Sequence, residues 1–419
     1  MQATAVRQRT KTTTLPDAAP DGRQQAGHDP DLTPDVRILR TRKDVETIRT
    51  DWMRLSSNHD NNWDLYWSLI RSRRPAPEPY VAALLEHGKV AAALVGRIED
   101  GVVSLKLGYW RPVRLSVRRI VVPMQGLLGE ADEATLKLLI RRIVDDLCDR
   151  KADLAVLDFL ELDSRFHNAA KDVSSGFWMR DLMPARQIHR YVRLPSTFKE
   201  YARQHRRILE KAKRFEKTFD GRWEYRLLTD ESDIDTFCEG ADAVMSKTYQ
   251  RALGVGFSIT EENREKIRAA ARQGVWRAFV TLVDKKMIAF WCGCSFGGTW
   301  ACWWTAYDPD YHAFSPGLVG STRMAERFIS EGIRTIDFGG GDATHKERLG
   351  NDFRWEERVC IYAPDLKGFA ANCLHGLDAA IGNLFRNRLK RFANRLRTPW
   401  RRMMTANMPH ACNETKTKH

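Results

Sequence analysis

The sequence has no apolar run near the roughly 18 residues that a membrane-spanning helix needs, and its N-terminus lacks the apolar core of a signal peptide. A cytoplasmic protein is the expectation. No CxxC pair occurs and no histidine stands at zinc spacing from a cysteine, so Cys292, Cys294 and Cys302 read as core thiols and no metal is expected. Eight cysteines scattered singly through 419 residues exclude a disulfide scaffold. Asp337-Phe338-Gly339 matches a kinase metal-binding triplet, but the glycine-rich loop, its lysine strand and the His-Arg-Asp loop are missing, which excludes that class. Acids are the scarcer charge. The net +14 calls for an anionic partner without choosing among CoA phosphates, a nucleic acid and an anionic membrane surface.

What is present is enough apolar residue, 43%, for two cores. Residues 1–34 and 405–419 are poor in apolar clusters and read as disordered tails. Between them an order of elements occurs twice. In the first half, 35–193, strands are expected at 36–39, 80–86, 90–99, 119–122 and 154–159, with helices at 44–55, 63–72 and 133–150. The second half, 194–364, offers strands at 223–228, 276–283, 287–296 and 300–307, and helices at 230–247 and 260–272. A period of about 180 residues suggests a duplicated α/β domain. The first half also holds Gln125-Gly126-Leu127-Leu128-Gly129, which reads as a turn or as a relic phosphate loop.

The working centre is 299–346. A Trp- and Thr-rich strand ends at Tyr307-Asp308. Ser315-Pro316-Gly317 then starts a helix, with Ser as N-cap and Pro at the first position, and Gly332 ends it. A strand over 333–338 follows and is closed by Gly339-Gly340-Gly341. This βαβ-like order aims the N–H groups of Gly317, Leu318 and Val319 beyond the first strand, where an anion is stabilised.

This pattern, Tyr307-Asp308, Ser315-Pro316-Gly317, Asp337-Phe338-Gly339, then Gly341-Asp342 with Lys346, resembles the GNAT acyltransferase superfamily. It is similar to the branch of FemAB-like aminoacyl transferases and of CelD-like acetyltransferases associated with cellulose and exopolysaccharide synthesis. The likeness runs from about Leu194 to Ala363. The glycine loop usual in these enzymes is reduced here to Ser315-Pro316-Gly317. The resemblance implies an α/β fold with a mixed sheet, built as two tandem GNAT-like domains of which the second is better preserved. It also implies a splayed strand that pairs with the pantetheine arm of acetyl-CoA or another acyl-CoA, through Trp303, Trp304 and Thr305. Ser315, Gly317, Leu318 and Val319 would then hold the pyrophosphate.

Two basic segments stand apart. A helix over 198–219 carries Arg206, Arg207 and other cations around an apolar stripe, and reads either as a solvated face or as a cradle for an anionic donor or acceptor. The segment 365–404 is amphipathic and rich in arginine, with no acid from 385 onward, and suits either an anionic leaflet or docking on the domain. Nucleic acid is not expected, because no binding motif or aromatic ladder accompanies the arginines.

The leading functional expectation is N-acyl transfer from acyl-CoA to an amine, or a hydroxyl, of a polar acceptor, with peripheral membrane association and a role in polysaccharide or envelope synthesis. Asp337 or His345 would take the acceptor's proton, and Tyr307 or Tyr311 would return one to the thiolate. Arg206, Arg207, Asp342 and Lys346 would meet substrate. The alternatives are a non-catalytic binding module for an anionic polymer or membrane, and aminoacyl transfer from tRNA.

Overall fold

The structure is a computed structural model and describes residues 35–384 apart from 59–60, 107–109, 125, 249–250, 252–255 and 342. Asp342, Gln125 and the basic run after 384 lie outside the described residues, as do the two tails. Thirteen strands form one mixed sheet. In chain order they are β1 (Asp35–Leu39), β2 (Glu78–Glu86), β3 (Lys89–Ser104), β4 (Arg114–Val122), β5 (Leu127–Leu128), β6 (Leu154–Glu161), β7 (Ala185–Arg193), β8 (Trp223–Leu228), β9 (Trp276–Val283), β10 (Lys286–Phe296), β11 (Thr299–Tyr307), β12 (Thr335–Gly340) and β13 (Asp352–Tyr362).

Their spatial order is β1-β2-β3-β4-β6-β13-β7-β12-β11-β10-β9-β8, with β5 beside β3. Each half therefore repeats one plan: four antiparallel strands, then a single parallel pair, β4 with β6 and β11 with β12. The last strand of each half crosses over. β7 precedes the second half in the chain yet pairs with β12, while β13 pairs back with β6. β7 and β13 close the seam antiparallel from Asp352↔Tyr191 to Arg358↔Ala185.

The helix Glu133–Cys148 lays Leu136, Leu139, Ile140, Ile143 and Leu147 on β2, β3, β4 and β6, as the apolar spacing predicts. The helix Pro316–Ser330 does the same in the second half through Met324, Ala325 and Phe328. On the opposite face, the helices Ile234–Ser246 and Glu261–Arg272 cover β9, β10 and β11.

The basic helix expected over 198–219 is two helices, Phe198–Gln204 and Arg206–Thr218, which break at His205 (φ −113°, ψ 30°). Tyr201, Ala212 and Phe215 bury the apolar stripe, and the cations stay outside. Of the expected segment 365–404, residues 366–384 form a helix.

Candidate functional site

The site grows from a defect in strand pairing. β11 runs parallel to β12 for only three pairs, Thr299↔Thr335, Trp300↔Ile336 and Ala301↔Asp337. Beyond Ala301 the strands part. β11 stays on β10 through a bulge, where Cys292↔Trp304 is followed by Gly293↔Cys302 and Trp303 is the extra residue. Only glycine fits opposite the bulge, since a Cβ on Gly293 would lie 1.9 Å from the Ala301 carbonyl oxygen. β12 bends the other way, toward β7, with Gly339 at φ +68° and the Gly341 N–H donating to Ile188 O at 2.8 Å. From Cys302 to Tyr307 the β12-facing edge of β11 has no strand partner among the described residues. Open backbone groups there can accept an extended polar chain as a further strand would.

The groove beside this edge has a volume of about 580 Å³ and is lined by Thr305, Tyr307, Gly317, Leu318, His345 and Arg348, among others. At its far side lies the start of the helix Pro316–Ser330. Trp291 Nε1 pins that start by donating to Gly317 O at 2.9 Å. Ser315 is left-handed (φ 52°) and its side chain caps nothing, contrary to the expected N-cap bond. Its carbonyl instead accepts from Leu318 N (2.9 Å) and Val319 N (3.2 Å). Those two amides are therefore spent, and the Gly317 N–H alone of the expected three is left for an anion. Val319 points inward and is buried against Phe215 and Phe219.

A second cavity, of about 680 Å³, joins the first through shared Leu318 and Arg348 and brings in Arg206, Arg207 and Lys211. The break at His205 turns the arginine pair toward the helix start. Arg206 is also held by Glu210 at 3.0 Å, an exposed pair of little energetic weight. Arg206, Arg207, Lys211 and Arg348 thus line a cavity that shares Leu318 with the helix start, a cation-rich setting for an anion.

His345 projects from the short helix Thr344–Leu349 against Trp291 and Phe338, with ring centroids 5.9 and 6.4 Å away. Burial, helped by Lys346, lowers its pKa to about 4, so it is a neutral imidazole at pH 7. Lys346 does not reach into the groove for a phosphate; its ammonium bonds Gly340 O (2.7 Å) and Gly339 O (3.2 Å), the carbonyls that the bend of β12 turns out. Burial also lowers its pKa.

Asp337, the last residue paired before the strands part, does not line the groove. It faces the seam, where Oδ1 accepts from Gly339 N (2.7 Å) and lies 2.5 Å from His189 Nε2. The other ring nitrogen of His189 is 2.8 Å from Glu356 Oε1, and Glu356 is held by Arg354 (2.7 Å) and Gln187 (3.1 Å). Burial alone would lower the His189 pKa. Its pairing with Asp337 and then Glu356 outweighs that and raises it, which favours the imidazolium form between two carboxylates. Tyr191 stacks on it at 4.6 Å. Sequence reasoning singled out Asp337 but missed its partners His189 and Glu356, because the members lie on three strands and 148 residues separate His189 from Asp337.

The side chains of several other expected residues lie outside the groove. The side chains of Trp303 and Trp304 turn to the opposite face, where Lys266 Nζ sits 4.2 Å from the Trp303 ring and Phe257 packs on Trp304 at 5.2 Å; only their backbone stands at the open edge. Tyr311 packs on Phe219 at 5.9 Å, while Tyr307 lines the groove.

A family model described as an acetyltransferase (GNAT) domain matches residues 202–347. No curated protein matches the chain in sequence. Among solved structures, FemX is 12% identical with a TM-score of 0.52, covering 77% of this chain and 96% of that one. A tandem GNAT protein from the clavulanic acid biosynthesis pathway is 10% identical with a TM-score of 0.46, covering 78% of this chain and 98% of that one. The chain thus has a GNAT fold in a mixed α/β sheet of two like halves, with an acetyltransferase-type sequence match in the second half.

Proposed function

We propose that the chain transfers an acyl group from acyl-CoA to the amine, or the hydroxyl, of a polar acceptor. The observation that carries this reading is the open edge of β11 ending beside a helix start, next to a cavity lined by Arg206, Arg207, Lys211 and Arg348. An acyl-CoA has matching parts: an amide-bearing pantetheine arm for the edge, and phosphates for Gly317 N, Arg206, Arg207 and Arg348. Backbone N–H groups of 303–306 polarise the thioester carbonyl. The acceptor nitrogen forms a bond to the acyl carbon, the C–S bond breaks, His345 takes the proton from nitrogen, and Tyr307 gives one to the departing thiolate. Asp337 acts as a positioning residue that holds the fork of the two strands. The CelD-like resemblance supports an acceptor from polysaccharide or envelope synthesis.

Isothermal titration with acetyl-CoA tests the reading, together with release of free thiol when polar amines are added. No binding at millimolar acetyl-CoA would remove it, in favour of a non-catalytic module or aminoacyl transfer from tRNA. The Gly317→Val variant sharpens the test. A Cβ there meets only Tyr307 Cδ1, at 3.9 Å, so folding is kept while the side chain crowds the amide and the groove. Acetyl-CoA affinity should fall at least about tenfold with an unchanged melting temperature. Unaltered affinity would take the helix start out of the site.

A further inference from the structure

One flank of the molecule exposes large apolar side chains in a group. Segment 177–183 lies along the helix 366–384: Trp178 packs on Phe369 at 5.0 Å, and a Cβ on Gly376 would lie 3.5 Å from Met183 and 3.6 Å from Leu182. Asn372 ties the two together, donating to Arg180 O (2.7 Å) and accepting from Leu182 N (3.1 Å). The tip of the β3–β4 hairpin joins through Lys106 N, which donates to Asp378 at 2.7 Å. On this firmly held platform Phe177 is 67% exposed and Leu366 81%, and Trp178, Leu182, Met183 and Leu377 are exposed beside them. Trp110, from the same hairpin, is exposed too. Aromatic and leucine side chains held out in water on a hydrogen-bonded platform mark a surface that something covers.

The chain that continues from this helix says what covers it. From Phe385 to Met404 the sequence has eight Lys and Arg and no Asp or Glu, with Leu389, Phe392, Leu396 and Trp400 interleaved. We infer that this flank docks on an anionic phospholipid bilayer, Phe177, Trp178 and Leu366 entering the headgroup boundary while the basic run neutralises the lipid charge. The apolar platform supplies a salt-insensitive part of the binding and the basic run a salt-sensitive part. Among the described residues no helix is long and apolar enough to cross a membrane, so the contact lies on the leaflet.

The test is co-sedimentation of the full chain with vesicles of phosphatidylglycerol and phosphatidylcholine, against vesicles of phosphatidylcholine alone. Binding to the anionic vesicles that weakens as salt rises is expected. The double variant Phe177→Ser with Leu366→Ser, at the two most exposed positions, should keep the parent's thermal melt and bind the same vesicles at least tenfold more weakly. Equal binding by parent and variant would assign attachment to the basic run alone and overturn the platform. No sedimentation of the parent at low salt would overturn the inference outright. So would a parent that is a dimer in solution and becomes monomeric in the variant, since a second copy would then be the occupant.

Discussion

Replacing His189 by alanine is expected to cost about 3–5 kcal/mol of folding free energy, the range for removing one partner of a buried charge group, read as a lowered urea midpoint. His189, from the first half of the chain, is 1% exposed and stands between Asp337 and Glu356, both from the second. Without it two buried carboxylates lose their shared cation, and a cavity opens under the Tyr191 ring. The loss should depend on pH in a stated direction. Because the folded pKa of His189 is raised above the ordinary 6.5, its contribution is complete below about that pH and fades as pH climbs through the raised value. Burial would raise the Glu356 pKa, but His189 and Arg354 depress it below the ordinary 4.5; its contribution is present above that and fades as pH falls through the depressed value. Parent and variant should therefore differ most between about pH 5 and 6, and converge toward both sides. A difference that is flat across pH would assign the effect to packing alone.

The sequence shows this seam poorly for a physical reason. β7 reads Ala-Arg-Gln-Ile-His-Arg-Tyr-Val-Arg and β13 opens Asp-Phe-Arg-Trp-Glu-Glu, so neither carries the near-continuous apolar run that marked β2, β9 or β10, and at the start of β13 Phe353 and Trp355 lie exposed while Glu356 and Glu357 are buried. Both were absent from the expected strands, and they are the two that cross between halves. Their polar residues are satisfied by one another and by β6, β12 and Lys171, all distant in the chain, which is a tertiary fact. The outer strands and the helices Glu133–Cys148 and Pro316–Ser330 were legible because a single apolar face decides each of them. At the site, the Ser-Pro-Gly helix start and the strand ending at Tyr307 were readable. The left-handed turn at Ser315 was not, since no local pattern distinguishes a serine whose side chain caps the helix from one whose side chain does not. The Arg206-Arg207 pair could be named from its charge, yet its place beside Leu318 depends on the break at His205, which the continuous amphipathic spacing hides.

The proton path separates two residues that both qualified in the sequence. In the proposed transfer they differ by position: His345 lines the groove and is neutral, whereas the Asp337 carboxylate is turned to His189 and the Gly339 amide, away from the groove. His345→Gln should therefore lower kcat by about 10²-fold, with acetyl-CoA affinity and melting temperature nearly kept. In the parent, kcat/KM should show no break near 6.5 from this histidine, because its pKa is lowered to about 4; the limb it controls lies at the acid end. Asp337→Asn is expected to behave differently. The amide oxygen still accepts from Gly339 N, so the turn survives, but the charge facing His189 is gone and stability falls by about 1–3 kcal/mol. Turnover per folded molecule should drop far less than in His345→Gln. If Asp337→Asn instead loses about 10²-fold in kcat at unchanged stability while His345→Gln turns over normally, the proton leaves through the seam, and the carboxylate at the fork of β11 and β12 is the base.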